Sequence, residues 1–172
     1  MENQKEALAA AIEMENQGRD FYNSTAEKTA NEMTRSVFRF LADEETKHIE
    51  AIRSFYSAEM AGEETDFDSV IREADPARAR KAISKLFSGL ERKAPTDKAD
   101  IDAYKFARDF EKNGEKFYRQ ALTKATDPET KKLFQFLIEE EQRHFQMVDD
   151  SLAFLENPSE WFHRLEKWHV EG

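Results

Sequence analysis

Apolar residues recur every three or four positions through four long stretches of the chain, which is the helical period. Phe38, Leu41 and Ile49 mark one side of the second stretch, and Phe134, Leu137 and Phe145 mark the same side of the fourth. Such stripes predict amphipathic helices turned toward a common core. Polar residues set their limits. Asp127-Pro128 and Asn157-Pro158 each read as an N-cap followed by Pro at the first helical position, as does Asp75-Pro76. Asn31 is the corresponding cap in the first half. The predicted helices span about 3–29, 32–60, 98–126 and 128–155, with a short helix near 76–91 and another near 158–168. Trp161, Leu165 and Trp168 keep helical spacing and predict that the last segment packs on the others. Met14, Met33, Met60 and Met147 read as core or boundary fillers.

The four stretches form two copies of one unit. Residues 15–52 align without a gap on residues 111–148 at a constant offset of 96, and twelve of these 38 positions are identical. The identities include Glu15/Glu111, Gly18/Gly114, Tyr22/Tyr118, Glu45/Glu141 and His48/His144. A doubled helical hairpin predicts two hairpins packed pseudo-symmetrically. The segment between them, residues 61–97, is too long for a tight turn. It must run the length of a bundle, so the second and third long helices lie parallel. The expected fold is all-α: a four-helix bundle of two repeated hairpins joined by a long crossover, with a short C-terminal helix at 156–172. Residues 1–172 read as a single domain.

Composition narrows the partners. The 172 residues are 39% hydrophobic and 36% charged, with 5 Gly and 4 Pro, which disfavours a loop-rich or all-β fold. A net charge of -10 argues against nucleic acid as a partner. Cys is absent, which excludes disulfides, thiol catalysis and Cys-ligated iron or zinc. No apolar run approaches the ~20 residues needed to span a bilayer. The charged start of the chain lacks the order of a signal peptide, so a cytoplasmic location is the default expectation.

Chemistry concentrates in two ExxH motifs, Glu45-Thr46-Lys47-His48 and Glu141-Gln142-Arg143-His144. Residues three apart share a helix face at ~5–6 Å between Cβ atoms, so a carboxylate and an imidazole can meet one metal ion. A lone ExxH is a common surface pattern; two at equivalent places in a repeat are not. Glu15 and Glu111 each precede a Tyr, Tyr22 and Tyr118, by close to two helical turns, so Glu and Tyr share a face. Each hairpin thus supplies two Glu and one His. Four carboxylates would neutralise two divalent cations, and imidazole adds a nitrogen donor suited to iron. Four ionised Glu facing a core would imply a cation, because buried charge is otherwise costly. Tyr22 and Tyr118 read either as donors to a ligand carboxylate or as ordinary buried Tyr. Glu44 and Glu140 read either as acceptors that orient the His of the opposite hairpin or as surface residues. Gly18 and Gly114 leave room at the site or permit close helix packing. His163 and His169 read as surface residues.

With the E…Y start and the ExxH present twice, the sequence resembles the rubrerythrin branch of the ferritin-like superfamily over roughly residues 3–155. EMENQGRDFY and FEKNGEKFY are similar to the Glu-rich, Gly-containing starts of such helices. The resemblance implies a ferritin-like bundle with Glu15, Glu45, His48, Glu111, Glu141 and His144 as ligands to two iron ions, Glu45 and Glu141 bridging. Manganese and zinc suit the same donors. It further implies Tyr22 and Tyr118 as catalytic residues and a homodimer, in which the long crossover permits hairpins to be exchanged between chains. Two features depart from the family pattern. There is no Cys for a rubredoxin-type module, so electrons must come from a separate donor, a rubredoxin-like protein or a flavoprotein. Many relatives carry an additional Glu one turn from the third-helix ligand; here those positions are Arg108 and Gly114, with Glu115 the nearest substitute.

Three functions compete. The first is a non-haem di-iron oxidoreductase, a peroxidase-type enzyme that reduces hydrogen peroxide or dioxygen and protects against oxidative stress. The second is a ferroxidase or iron-handling protein. The third is a metal-stabilised interaction module without turnover.

Overall fold

The computed structural model of the chain describes residues 2–71 and 97–161. Four long helices dominate: α1 (Glu2–Lys28), α2 (Glu32–Ala61), α4 (Lys98–Lys124) and α5 (Pro128–Glu156), with a single turn, α3 (Phe67–Val70), after α2. All lie within two residues of the expected limits except α3, which was not foreseen. The caps act as read. Asn31 and Asp127 accept hydrogen bonds from the Thr34 and Thr130 amides, satisfying donors that the first helical turn leaves free. Asn157 does the same for Glu160 at 3.3 Å, and helical backbone resumes at residues 158–161. Gly62 ends α2 in the left-handed region, φ 71°, where a side chain would be strained.

The helices form a ferritin-like bundle. α1 pairs with α2 and α4 with α5 as antiparallel hairpins. Thr29, just past α1, donates to Asp100 at the start of α4, so these two helices are antiparallel as well. Gln4 in α1 donates to Thr130 at the start of α5, and Phe38 in α2 meets Tyr104 in α4 at 4.9 Å, so both diagonals run parallel. Parallel α2 and α4 require the chain to return along the bundle. Its first stretch does so: α3 lies against α5, with the Phe67 amide donating to Glu129 and its ring 5.9 Å from Phe136. The expected helix near 76–91, Asp75-Pro76, and residues Leu165, Trp168, His163 and His169 lie outside the described residues. Trp161 is buried edge-on against Phe154, as its spacing predicted.

The core is in two parts. One apolar cluster, with Tyr22, Phe38, Leu41, Tyr104 and Leu152, fills the end where α2 and α4 begin. Another, with Leu8, Ile52, Tyr118, Phe134 and Leu137, fills the opposite end. Between them lies a layer of buried polar side chains. Two expectations need correction. Met60 is 57% exposed, because it falls on the same outward face of α2 as the exposed Arg53 and Ser57. Phe145 is only half-buried, and the buried positions at that turn are Met147 and Val148. Among the described residues, no helix is long and apolar enough to cross a membrane.

Candidate metal centre

The polar layer contains all six residues expected as ligands. Glu15, Glu45, His48, Glu111, Glu141 and His144 are each at most 3% exposed, and they come from all four long helices. Their donor atoms converge in two groups. Glu15, Glu45, His48 and Glu141 form one; Glu45, Glu111 and His144 form the other, and in each the donors lie within 4.8 Å of one another. Glu45 belongs to both, which is where a bridging carboxylate would sit.

Tyrosine locks the layer across the hairpins. The Tyr22 hydroxyl donates to Glu111 Oε1, and the Tyr118 hydroxyl donates to Glu15 Oε1. Each Tyr therefore holds the Glu of the other hairpin, so of the two readings open for these Tyr, the donor reading matches the structure. Each bond uses one carboxylate oxygen and leaves the second to face the centre. His48 Nδ1 lies 3.1 Å from both Glu15 Oε2 and Glu45 Oε2. His144 Nδ1 stands 3.5 Å from Glu45 Oε1 and 3.4 Å from Glu111 Oε2 and makes a hydrogen bond to neither. Glu45 Oε1, Glu111 Oε2, His48 Nε2 and both ring nitrogens of His144 are buried without a hydrogen-bond partner. Unsatisfied buried polar atoms are costly, and five in one layer fit a site shaped for a cation.

Electrostatics agree. Burial pushes the Glu15 carboxyl up to about 8, with the neighbouring Glu45 charge adding to the effect. Burial, with the charges of Glu111, Glu15 and Glu45, also raises Glu141 well above the carboxylate range. Burial acts to raise Glu45 too, but the neighbouring Glu15 carboxyl and the two imidazoles, His48 at 3.1 Å and His144 at 3.5 Å, outweigh it and hold this group low. Both imidazoles move the other way. Burial would lower them, yet Glu15 and Glu45 lift His48 to about 10, and Glu111 and Glu45 raise His144 well above its ordinary value. Without metal, protons hold the layer together. A divalent ion would displace those protons and take their place.

The remaining candidates separate. Glu140 is buried, pairs with Arg143, and places Oε2 4.0 Å from His48 Nε2 of the other hairpin, near it but beyond hydrogen-bond distance. Glu44 is also buried but is engaged by Lys47. Glu115 is tied to Arg119 and Gln142 on the surface of α4 and stays outside the buried layer, so it does not act as the substitute Glu considered from the sequence. Arg108 pairs with Asp149. The two glycines make room for different groups. A Cβ on Gly114 would stand 2.5 Å from Glu141 Oε2, and one on Gly18 would stand 2.7 Å from the Phe110 ring. Sequence reasoning missed Phe110; its pairing with Gly18 lies across two helices and leaves no local pattern.

A family model described as Rubrerythrin matches residues 6–152. Among solved structures, a hypothetical protein from Pyrococcus furiosus superposes with a TM-score of 0.62 at 23% identity, covering 88% of this chain and 89% of that one. This likeness shows the shared fold. No curated protein matches the sequence.

Proposed function

Because the chain belongs to the rubrerythrin family, we propose that it is a di-iron oxidoreductase that reduces hydrogen peroxide or dioxygen with electrons from a separate donor. The observation that supports this most is the convergence of four buried Glu and two buried His, with five unsatisfied donor atoms. Glu15, Glu45, His48, Glu111, Glu141 and His144 are the residues that would hold two iron ions. A reduced iron pair held there would supply the two electrons that, with two protons, convert hydrogen peroxide to two waters.

The side chains account for the rest. Tyr22 and Tyr118 are held well above their usual pKa, first by burial and then by nearby carboxylates, so their hydroxyls keep their protons at neutral pH. They fix Glu111 and Glu15 and are the proton donors nearest the ligand oxygens. The apolar clusters above and below keep bulk water from the layer, which strengthens each charge interaction inside it. The sequence has no Cys to ligate a rubredoxin-type iron, so on this reading electrons come from a separate donor.

Stopped-flow mixing of the anaerobically reduced protein with hydrogen peroxide, and separately with dioxygen, tests the reading. Oxidation faster than that of an equal concentration of free ferrous iron, with turnover sustained by an added electron carrier, is expected. Oxidation no faster than free iron would rule it out.

A further inference from the structure

The repeat invites a comparison of its two halves, and they differ at one place that bears on access. Gly18 and Gly114 are equivalent, and each leaves a notch in the helix wall beside a ligand. In the second half the notch is filled from inside, by the Glu141 carboxylate. In the first half it is filled from outside. Phe110 Cε1 and Cζ lie 2.7 and 3.1 Å from where a Gly18 Cβ would be, and Glu45 Cδ lies 3.7 Å from the same point. Position 14, the repeat counterpart of Phe110, is Met. At Gly18, then, one aromatic ring and a helix without a side chain separate the protein surface from Glu45, itself 1% exposed.

That ring lies at the margin of the core. Phe110 is half-buried and sits beside Phe106, 6.4 Å between centroids, which is itself 54% exposed. It packs at the edge of the apolar cluster, with Tyr22 at 6.2 Å on its inner side, and is held by apolar contacts. No hydrogen bond or ion pair has to break for it to swing. The geometry points to Phe110 as the residue that sets which oxidants reach the centre: its ring closes the notch at Gly18, admits hydrogen peroxide or dioxygen by small displacements, and turns bulky organic hydroperoxides away. This inference rests on the oxidoreductase reading for its consequence, but the access route itself can be tested without metal.

The first arm uses apo-protein. Glu45 is labelled with a water-soluble carbodiimide and glycine ethyl ester, and the product is quantified by mass spectrometry. Phe110→Ala is expected to raise the labelling rate of Glu45 at least tenfold, Phe110→Leu by less, and Phe106→Ala not at all. Glu141, behind the other notch, serves as control. An unchanged Glu45 rate in Phe110→Ala would overturn the proposal. So would a rise at Glu141 equal to that at Glu45, because it would mean general loosening of the bundle. The second arm compares oxidation of the reduced protein by hydrogen peroxide and by cumene hydroperoxide. Phe110→Ala should raise the cumene-to-hydrogen peroxide rate ratio at least tenfold, and an unchanged ratio would overturn the role in selectivity. A wild-type protein that reacts with neither oxidant would sink the oxidoreductase reading, while the carbodiimide result would still decide the route.

Discussion

Replacing Gly114 with Ala should separate the stability of the bundle from its affinity for metal. In a helix interior Ala is favoured over Gly by ~1 kcal/mol, so by propensity alone the change stabilises α4. The new Cβ, however, would lie 2.5 Å from Glu141 Oε2 and 3.0 Å from its Cδ, whereas ordinary contact begins at 3.4 Å. The oxygen must withdraw by the difference, 3.4 − 2.5 = 0.9 Å. In apo-protein the carboxylate is the free end of a flexible side chain and can rotate away at little cost, so apo stability should rise by up to ~1 kcal/mol. With metal bound, the same carboxylate is fixed as a ligand, and a displacement of this size should weaken binding at least ~10-fold, or ~1.4 kcal/mol. Metal stabilises the folded state in proportion to the logarithm of its concentration over Kd, so that loss appears directly in the melting temperature. For a domain of this size ~1 kcal/mol corresponds to ~2–4 °C. Calorimetry on apo and cobalt-loaded protein should therefore show the apo midpoint raised by ~2–4 °C and the gap between apo and loaded forms reduced by ~3–6 °C. A gap as large as that of the wild type would refute the placement of Glu141 at the metal, and a lowered apo midpoint would refute its freedom to move.

Other tests follow from the same layer. His48, lifted from 6.5 to about 10, and Glu15, lifted from 4.5 to about 8, both bind more protons folded than unfolded between pH 6.5 and 8. Their contribution to stability is complete below the unfolded values and is lost as pH rises through the folded ones. Apo-protein should thus lose up to ~1.4 kcal/mol per pH unit for each such proton over that window, whereas the metal-loaded form should not, because loading releases those protons. Denaturant titrations at a series of pH values would check the slopes, and an apo form that gained stability with pH would contradict them. Tyr22→Phe and Tyr118→Phe each remove the donor to a buried carboxylate oxygen and should cost ~1–3 kcal/mol apiece in denaturant titrations. They should also slow reoxidation of the reduced centre in stopped flow, and unaffected stability would show that Glu111 and Glu15 do not depend on these hydroxyls.

The fold was legible because its signals are local or repeated. Asn31 and Asp127 cap helices within three residues of themselves, and the 96-residue offset places each hairpin without any knowledge of contacts. The site was legible for the same reason: Glu45 and His48 lie on one helix face, and the repeat supplies their counterparts. What failed depended on distance across the bundle. That Tyr22 reaches Glu111 and not a Glu of its own hairpin follows from the antiparallel packing of α1 on α4, which no spacing encodes. The different occupants of the Gly18 and Gly114 notches depend on Phe110 standing where the repeat has Met14. The exposure of Met60, on the face of α2 that also carries Arg53 and Ser57, depends on which face the other helices cover.

The most direct measurement is an anaerobic titration of apo-protein with ferrous iron, carried out in parallel on the wild type and on the Glu45→Ala/Glu141→Ala double variant, with bound metal counted after gel filtration. Two ions per chain in the wild type and loss of two-ion loading in the variant are the predicted result. Two ions retained by the double variant, or a wild type that binds none, would contradict the assignment of this buried layer as a di-iron centre.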